Sequence, residues 1–460
     1  MMCELSNKKV LVIGYAVTGK SVVEFLIAQG ARVTLTDRGD LSEDSSVSLL
    51  KQAGVHVVDG GHPISLLDEN FDFIVKNPGI PYQIPFIQAA LEREIPIYTD
   101  VELAYWISEA PIVGITGSNG KTTTTSWIQQ LLAARPSGKA YLAGNIGVPS
   151  LETAVKANKE DVIVMELSSF QLTGTEKFRP HIAVLTNLTS AHLDYHGTQA
   201  EYELAKMNLV ARQLPSDYCV YNYEDVTLRP YMQTITAQKI PFAVELVDEF
   251  VRANGAYVEN DALYFRGERV AAVSDIGIPG RHNIENALAA LSVAKLYHVS
   301  NEAIQTGLMN YAGMPHRLQV IADEHGRIFY NDSKSTNRVA TITALRSFNQ
   351  PIRYIGGGLD RGNEFDELVP YLNQVQSAYL YGQSKEKMAR AFYKAQVADV
   401  QLVTTLQEAT TLAYQAAKAG EVVLFSPSCA SWDQYKNFEE RGQEYVACVE
   451  QLLATQPYVD

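Results

Sequence analysis

The sequence predicts an α/β protein of three domains built on mainly parallel sheets. Its 460 residues exceed what one hydrophobic core supports. Short β-rich runs alternate with helical patterns along most of the chain, the order expected of parallel strands joined by crossover helices. Two glycine loops each follow an apolar run directly and open a helix. Boundaries fall near residues 99 and 314, giving units 1–99, 100–313 and 314–460.

Taken in order, "KKVLVIG" reads as a strand, 19–29 as a helix and "ARVTLTD" as the next strand. "VHVV", "FDFIV" and "IPIY" complete the first unit. "APIVGIT" opens the second as a buried strand, followed by a helix beginning at Gly120; "DVIVMELSS" and "HIAVLTNLT" are two further strands. Residues 218–275 read as short strands and turns, a less regular β insertion, and "RHNIENALAALSVAKLY" as a strong helix. After "YAGMPHR" the alternation resumes with "IRYIGGG", "SAYLYG", "VQLVT" and "EVVLFSPS".

A net charge of -14 argues against a broad nucleic-acid or anionic-membrane surface, though a few local cations suffice for anionic small molecules. Cys3, Cys219, Cys429 and Cys448 show no metal or redox spacing, so reduced thiols in a cytosol are expected. The start "MMCELSNKKVLVIG" has no signal-peptide architecture, and no apolar run is long enough to cross a bilayer. A cytoplasmic protein is the expectation.

The two loops compete for one role. "GYAVTGKS", Gly14 to Ser21, fits the P-loop pattern of Gly, four residues and Gly-Lys-Ser letter for letter. "GITGSNGKTTTT" does not, because Ile115 stands where the first glycine belongs. Their surroundings reverse the ranking. "VLVIG" runs into Gly14 and Asp37 ends the next strand, the layout of a nucleotide-binding βαβ unit whose middle glycine is replaced by Ala16. The Lys20-Ser21 pair is then a coincidence, and what remains is either a helix start that favours an anion or a plain structural turn. In the second loop, Gly117 and Gly120 let N–H groups turn toward phosphates, Lys121 neutralises charge and Thr122 offers Mg²⁺ a hydroxyl. Glu166, ending "DVIVME", brings a carboxylate within reach of the same metal. An incidental Gly-Lys at a helix start is the alternative; the second loop is expected to hold ATP.

Other residues read more plainly. His192 and His196 have a helical spacing that suits zinc, but Gly197 follows and no third soft ligand is near, so zinc is not expected. His192 alone reads as a core histidine, Lys206 as a solvated surface lysine, and Cys429 as a packing residue.

Together the motifs resemble the Mur ligase family, the ATP-dependent amide-forming enzymes of bacterial peptidoglycan precursor synthesis. The resemblance is carried over essentially the whole chain by "GITGSNGKTTT", "LAGNIG", "MELSSFQL", "NLTSAHLDYHG", "AKMNL", "GRHNIENALAA", "GMPHRLQ" and "NDSKSTN". "SPSCASWDQYKNFEERG" and "GGGLDRGNEF" look like the D-glutamate-adding branch. The resemblance implies a Rossmann-like N-terminal domain for a UDP-sugar, a P-loop ATPase-like central domain, and a Rossmann-like C-terminal domain that closes over ATP and brings the amino acid. It implies UDP-N-acetylmuramoyl-L-alanine, D-glutamate and ATP as substrates, two Mg²⁺ ions, and an acyl-phosphate route, with no nucleic acid, membrane insertion or obligate protein partner.

The resemblance also implies site residues. Thr18, Asp37, Arg38, Gly79 in "NPGI" and Asn145 in "LAGNIG" fall to the UDP-sugar, although Asn77 stands where a serine is usual. Gly117, Ser118, Asn119, Gly120, Lys121, Thr122 and Thr123 fall to the ATP phosphates, with Asn286 at adenine, Asp332 at the ribose and Arg317 at the transferring phosphoryl group. Glu166 and His192 resemble ligands of a second metal, and Lys206 takes the position of a carbamylated lysine. His192, Lys334, Thr336, Arg361, Ser431 and Phe438 are implied at D-glutamate, with arginine at 361 where lysine is common. Two rivals remain: a relative that adds another amino acid or builds folate polyglutamate, and a nucleotide-driven switch protein. A diamino-acid enzyme needs an acidic or arginine motif for the distal amine, and none is evident. The switch reading leaves the serine-rich C-terminal motif unexplained.

Overall fold

The computed structural model describes residues 5–189, 193–278, 280–311, 313 and 315–455, and these form three sheets. The first contains β1 (Lys9–Ile13), β2 (Arg32–Thr36), β3 (His56–Val58), β4 (Phe73–Lys76) and β5 (Ile97–Tyr98), all parallel, in the order β3-β2-β1-β4-β5. Why "VLVI" is apolar throughout follows from this position. Val10 and Val12 pack into the core on one face of the sheet, Leu11 and Ile13 into a separate core on the other. The strand order reverses direction between β1 and β4, so a crevice opens at their carboxyl ends.

The second sheet contains β6 (Ile112–Thr116), β7 (Ala140–Gly144), β8 (Val162–Glu166), β9 (Ile182–Leu185), β10 (Tyr218–Asn222), β11 (Gln238–Ala243), β12 (Ala256–Glu259), β13 (Ala262–Phe265) and β14 (Glu268–Ala272). Its order is β14-β13-β12-β11-β10-β9-β6-β8-β7. Residues 218–275 therefore are not a separate insertion. β10 continues the sheet parallel to β9, β11 and β12 follow in parallel, and only β12, β13 and β14 form an antiparallel meander. The turn-rich reading had a real cause: Asn260 and Asp261 both adopt positive φ, as a tight two-residue hairpin turn requires.

The third sheet contains β15 (Gln319–Glu324), β16 (Arg327–Asn331), β17 (Ile352–Gly357), β18 (Val375–Tyr381), β19 (Asp399–Leu402) and β20 (Val422–Phe425), ordered β15-β16-β20-β17-β18-β19. β15 and β16, an antiparallel edge pair, are additions to the predicted strands. The chain divides into two compact units, Met1–Asp275 with Ile284–Met309, and Ile276–Asn283 with Asn310–Asp460. The first two sheets share the first unit; the third belongs to the second.

Within the first unit, the helix Asp100–Ile107 joins the two sheets through Glu102, which is fully buried. Its carboxylate accepts from the backbone N–H groups of Glu176 (2.9 Å), Lys177 (2.9 Å) and Phe178 (3.0 Å) and from the Trp106 indole (2.8 Å). These bonds fix the turn that feeds β9. Glu102→Ala strands several donors at once and is expected to cost about 2–4 kcal/mol of stability, read as a lowered urea midpoint at unchanged slope.

Candidate active site

The loop Gly117 to Gly120 joins β6 to the helix Lys121–Leu132, and Gly120 caps that helix with φ of +79°. A side chain at Gly120 would run into the carboxamide oxygen of Asn286, and one at Gly117 into the Thr186 hydroxyl. The segment after β9 braces the loop. Ser118 N–H donates to Asn187 O (2.9 Å), Asn119 N–H to Asn187 Oδ1 (2.9 Å), and Thr186 Oγ1 to Asn119 O (2.6 Å). Asn286, expected at adenine, is buried against the loop, where its Oδ1 accepts from Thr124 Oγ1 at 3.1 Å.

Lys121 is the first residue of its helix, beside the first-turn N–H groups of Thr122 and Thr123 that favour an anion. Its Nζ donates to Gly117 O and Ser118 O, each at 2.9 Å. Lys20, in the loop with the letter-perfect pattern, is placed differently. There the helix Val17–Ala28 starts three residues before the lysine, at Val17. Lys20 is carried around the first turn and pairs with Asp44 at 3.1 Å, over the Tyr15 ring at 4.9 Å. The two patterns differ in where the helix begins, and that decides which lysine faces the loop.

Glu166 ends β8, is 1% exposed, and accepts from Asn145 Nδ2 at 2.8 Å through Oε1. Its Oε2 is buried without a hydrogen-bond partner. Such an atom fits a divalent cation, because Mg²⁺ takes one or two carboxylates and completes its shell with water and substrate phosphates. Among the described residues, no three of His, Cys, Asp and Glu come together. His192 lies outside the described residues. His196 is buried, bonded to Ser169 Oγ at 2.8 Å and stacked on Phe170, as a core histidine would be.

Lys206 corrects the surface reading: it is 2% exposed on the helix Gln199–Met207. Its Nζ donates to Gly117 O at 2.9 Å and Thr116 Oγ1 at 3.3 Å, with the Tyr202 ring 4.8 Å away. Burial holds its pKa well below the usual lysine value; nearby Lys121 lowers it further and Glu166 opposes the shift. Tyr202 stands four residues earlier on the same buried face, and that spacing is the sequence signal for Lys206's burial.

At the first sheet, Asp37 accepts from Tyr15 N–H (2.6 Å) and Gly39 N–H (2.7 Å), so its carboxylate ties the first glycine loop to the end of β2. Thr18 lies in the first turn of the helix Val17–Ala28, and Arg38 is exposed beside Asp37. Gly79 N–H donates to Asn77 Oδ1 at 3.2 Å, a turn that the asparagine side chain closes on its own backbone. Asn145, expected at the UDP-sugar, donates through Nδ2 to Glu166 at 2.8 Å.

In the second unit, three segments meet. Leu359 N–H donates to Ala430 O at 2.9 Å, Lys334 Nζ lies 5.7 Å from the centre of the Phe438 ring, and the Arg361 guanidinium 4.9 Å from that of Trp432. Thr336 N–H donates to Lys334 O, and Ser431 is buried beside Trp432. Arg441, absent from the expected residues, is fully buried and binds Ser333 Oγ (3.0 Å), Ser333 O (2.7 Å) and Cys429 O (3.0 Å), clamping two of these segments together. The Cys429 thiol is buried and pushed up to about 11, which suits packing. Asp332 is buried, with Oδ2 held by Ser335 and Ser426 and Oδ1 by Leu318 N–H; burial raises its pKa to about 6. Arg317 lies close enough to act on that carboxylate electrostatically.

Helix geometry gives opposite expectations for the two lysines. Lys121→Ala should abolish ATP-dependent turnover with the fold intact, whereas Lys20→Ala should leave the KM for ATP within about twofold. Steady-state kinetics over ATP concentration separates them, and a sharp rise in the Lys20 variant would exchange the two assignments.

The sequence matches the Mur ligase MurD-like N-terminal domain over residues 8–99, the Mur ligase middle domain over 115–294, and the Mur ligase glutamate ligase domain over 316–429. It is 48% identical to a UDP-N-acetylmuramoylalanine--D-glutamate ligase of Bacillus cereus, covering 98% of this chain and 99% of the relative. Enzymes of the same name from Geobacillus kaustophilus (47%, covering 97% and 98%) and Enterococcus faecalis (49%, covering 97% of each) are similarly close. Among solved structures, a MurF ligase of Thermotoga maritima in complex with ADP aligns with a TM-score of 0.57 at 17% identity, covering 98% of this chain and 100% of that one. The UDP-N-acetylmuramate-alanine ligase MurC of the same organism aligns at 0.56 and 18%, covering 96% and 99%. At that identity these structures speak to the fold alone. With near-complete alignment to relatives at almost half identity and three consecutive domain matches, the chain belongs to the Mur ligase family.

Proposed function

We propose that this enzyme joins D-glutamate to UDP-N-acetylmuramoyl-L-alanine at the expense of ATP, in peptidoglycan precursor synthesis. The observation that carries the ATP-dependent step is one carbonyl: Gly117 O accepts from both Lys121 and Lys206, each at 2.9 Å. Two lysine side chains converge on one buried oxygen, where burial and the neighbouring Lys121 hold Lys206 toward its neutral amine, and a polyphosphate offsets the positive charge of Lys121. The choice of substrates rests on the relatives' names and on two cations of the second unit, Lys334 beside Phe438 and Arg361 beside Trp432.

A carboxylate does not condense with an amine at neutral pH. In this reading an oxygen of the alanyl carboxylate attacks the γ-phosphorus, ADP leaves, and the carboxylate becomes an acyl phosphate. The amine of D-glutamate then attacks the carbonyl carbon, loses a proton, and expels inorganic phosphate. Lys121 offsets charge on the transferring group, and Arg317 is proposed to do the same from the second unit. Thr122 and Glu166 would hold Mg²⁺, which supplies charge neutralisation at the phosphates; His192 is proposed as a further ligand. Lys206 is proposed to be carbamylated: a neutral amine adds CO₂ and becomes an anion, and its lowered pKa favours the neutral amine. Asp332 and Asn286 are proposed at the nucleoside, and Thr18, Asp37, Arg38, Gly79 and Asn145 at the UDP-sugar. Both ATP and the UDP-sugar are intracellular solutes, so a cytoplasmic location is part of the proposal. No helix among the described residues is long and apolar enough to cross a membrane.

Phosphate release should require the UDP-sugar and D-glutamate together, with L-glutamate and diamino acids inactive. ATP hydrolysis indifferent to both would favour a nucleotide switch. Arg361→Ala should raise the KM for D-glutamate about 10–100-fold and spare those for ATP and the UDP-sugar, the weight of one charged hydrogen bond. Lys206→Ala should nearly abolish turnover, with partial recovery in acetate; wild-type rates in this variant would remove the carbamate from the scheme.

A further inference from the structure

Lys76 is the last residue of β4 and is 1% exposed. Its Nζ lies within hydrogen-bond reach of Asn77 O (3.4 Å), Pro78 O (3.2 Å), Ile80 O (2.9 Å) and the Tyr195 hydroxyl (3.2 Å), between the rings of Tyr82 and Tyr195. Among the described residues no carboxylate pairs with it. An apolar side chain at this strand end would avoid the desolvation cost that an ammonium incurs, and burial pushes the Lys76 pKa down to about 7. Such a costly group calls for a local role, and the carbonyls that converge on it supply one.

The oxygens of the 77–80 turn point inward to Lys76, and the Tyr195 hydroxyl lies 3.1 Å from Pro78 O and 3.2 Å from Ile80 O. Gln83 Nε2 adds a bond to Tyr195 O at 2.9 Å, so the turn is tied to the helix Leu193–His196 of the same compact unit. On its other side the turn packs against the first glycine loop: a Cβ at Gly14 would lie 3.0 Å from Asn77 Cβ and 3.2 Å from Ile80 Cδ1. The two loops sit at the carboxyl ends of β1 and β4, where the sheet order reverses and ligands of open α/β sheets bind.

We propose that Lys76 is a positioning residue for the sugar-nucleotide substrate: it gathers the 77–80 carbonyls and the Tyr195 hydroxyl, and so fixes one wall of the crevice that receives the anionic UDP-sugar. This rests on the ligase reading, which supplies the substrate. In the full-length enzyme, Lys76→Met should raise the KM for UDP-N-acetylmuramoyl-L-alanine at least about tenfold, with kcat and the KM for ATP and for D-glutamate within about twofold. Tyr195→Phe, which keeps the ring and removes the hydroxyl, should raise the same KM by about threefold or more. An unchanged UDP-sugar KM in both variants, or an equal rise in all three constants, overturns the proposal. Should Lys76→Met fail to fold, Tyr195→Phe decides alone. A wild-type enzyme that forms no product would sink the ligase reading; calorimetric titration of the UDP-sugar into wild type and variants would still test Lys76 separately, with equal affinity counting against it.

Discussion

Two lysine side chains share the carbonyl oxygen of Gly117, and much of the central site is a response to that crowding. Neither lysine reaches the oxygen by chance. Lys121 arrives because Gly120 takes a left-handed conformation and starts the helix there. Lys206 arrives because its helix turns the face bearing Tyr202 inward. Glu166, one of whose oxygens has no hydrogen-bond partner, acts on Lys206 as a counter-charge. The charge of Lys121 beside a buried amine, and an unsatisfied carboxylate oxygen, are costly as they stand. A polyphosphate and a divalent cation would correct both deficits together, which is the physical sense in which the site is built for ATP.

The same elementary unit, a parallel strand followed by a glycine turn and a helix, occurs in both sheets of the first unit with different consequences. After β6 the helix begins at the lysine itself; after β1 it begins at Val17, and Lys20 is directed to Asp44. A displacement of less than one helical turn separates a cation turned onto its own glycine loop from a surface ion pair. The first loop keeps its own specialisation through Asp37, which bonds to Tyr15 N–H, and through the 77–80 turn packed against Gly14.

Strand and helix positions near the loops were legible because buried parallel strands are continuous apolar runs and the turns carry glycine. Sheet membership was less so. "DYCVYN" does not announce that it pairs with β9, since ladder partners are set by distant chain, and β10 to β14 therefore read as an insertion. The edge strand β15 and its neighbour β16, of mixed polarity, lack the apolar run that marked the others. Loops of unusual composition carry a local signal in the sequence, whereas the burial of a single polar residue carries no comparable one. Lys206 reads as solvated until its helix is packed, Lys76 carries no motif, and Arg441 lies in the serine-rich C-terminal motif without a sign there that it is buried. Asn145 was found by its motif, but its bond to Glu166 follows from β7 lying beside β8.

In the proposed reaction, ATP activates the substrate carboxylate by phosphorylation. Turnover of UDP-N-acetylmuramoyl-L-alanine labelled with oxygen-18 in the alanyl carboxylate reads this out in the phosphate. Each phosphate released should carry one labelled oxygen, because the acyl phosphate breaks at its carbon–oxygen bond. Unlabelled phosphate formed alongside amide product would contradict it.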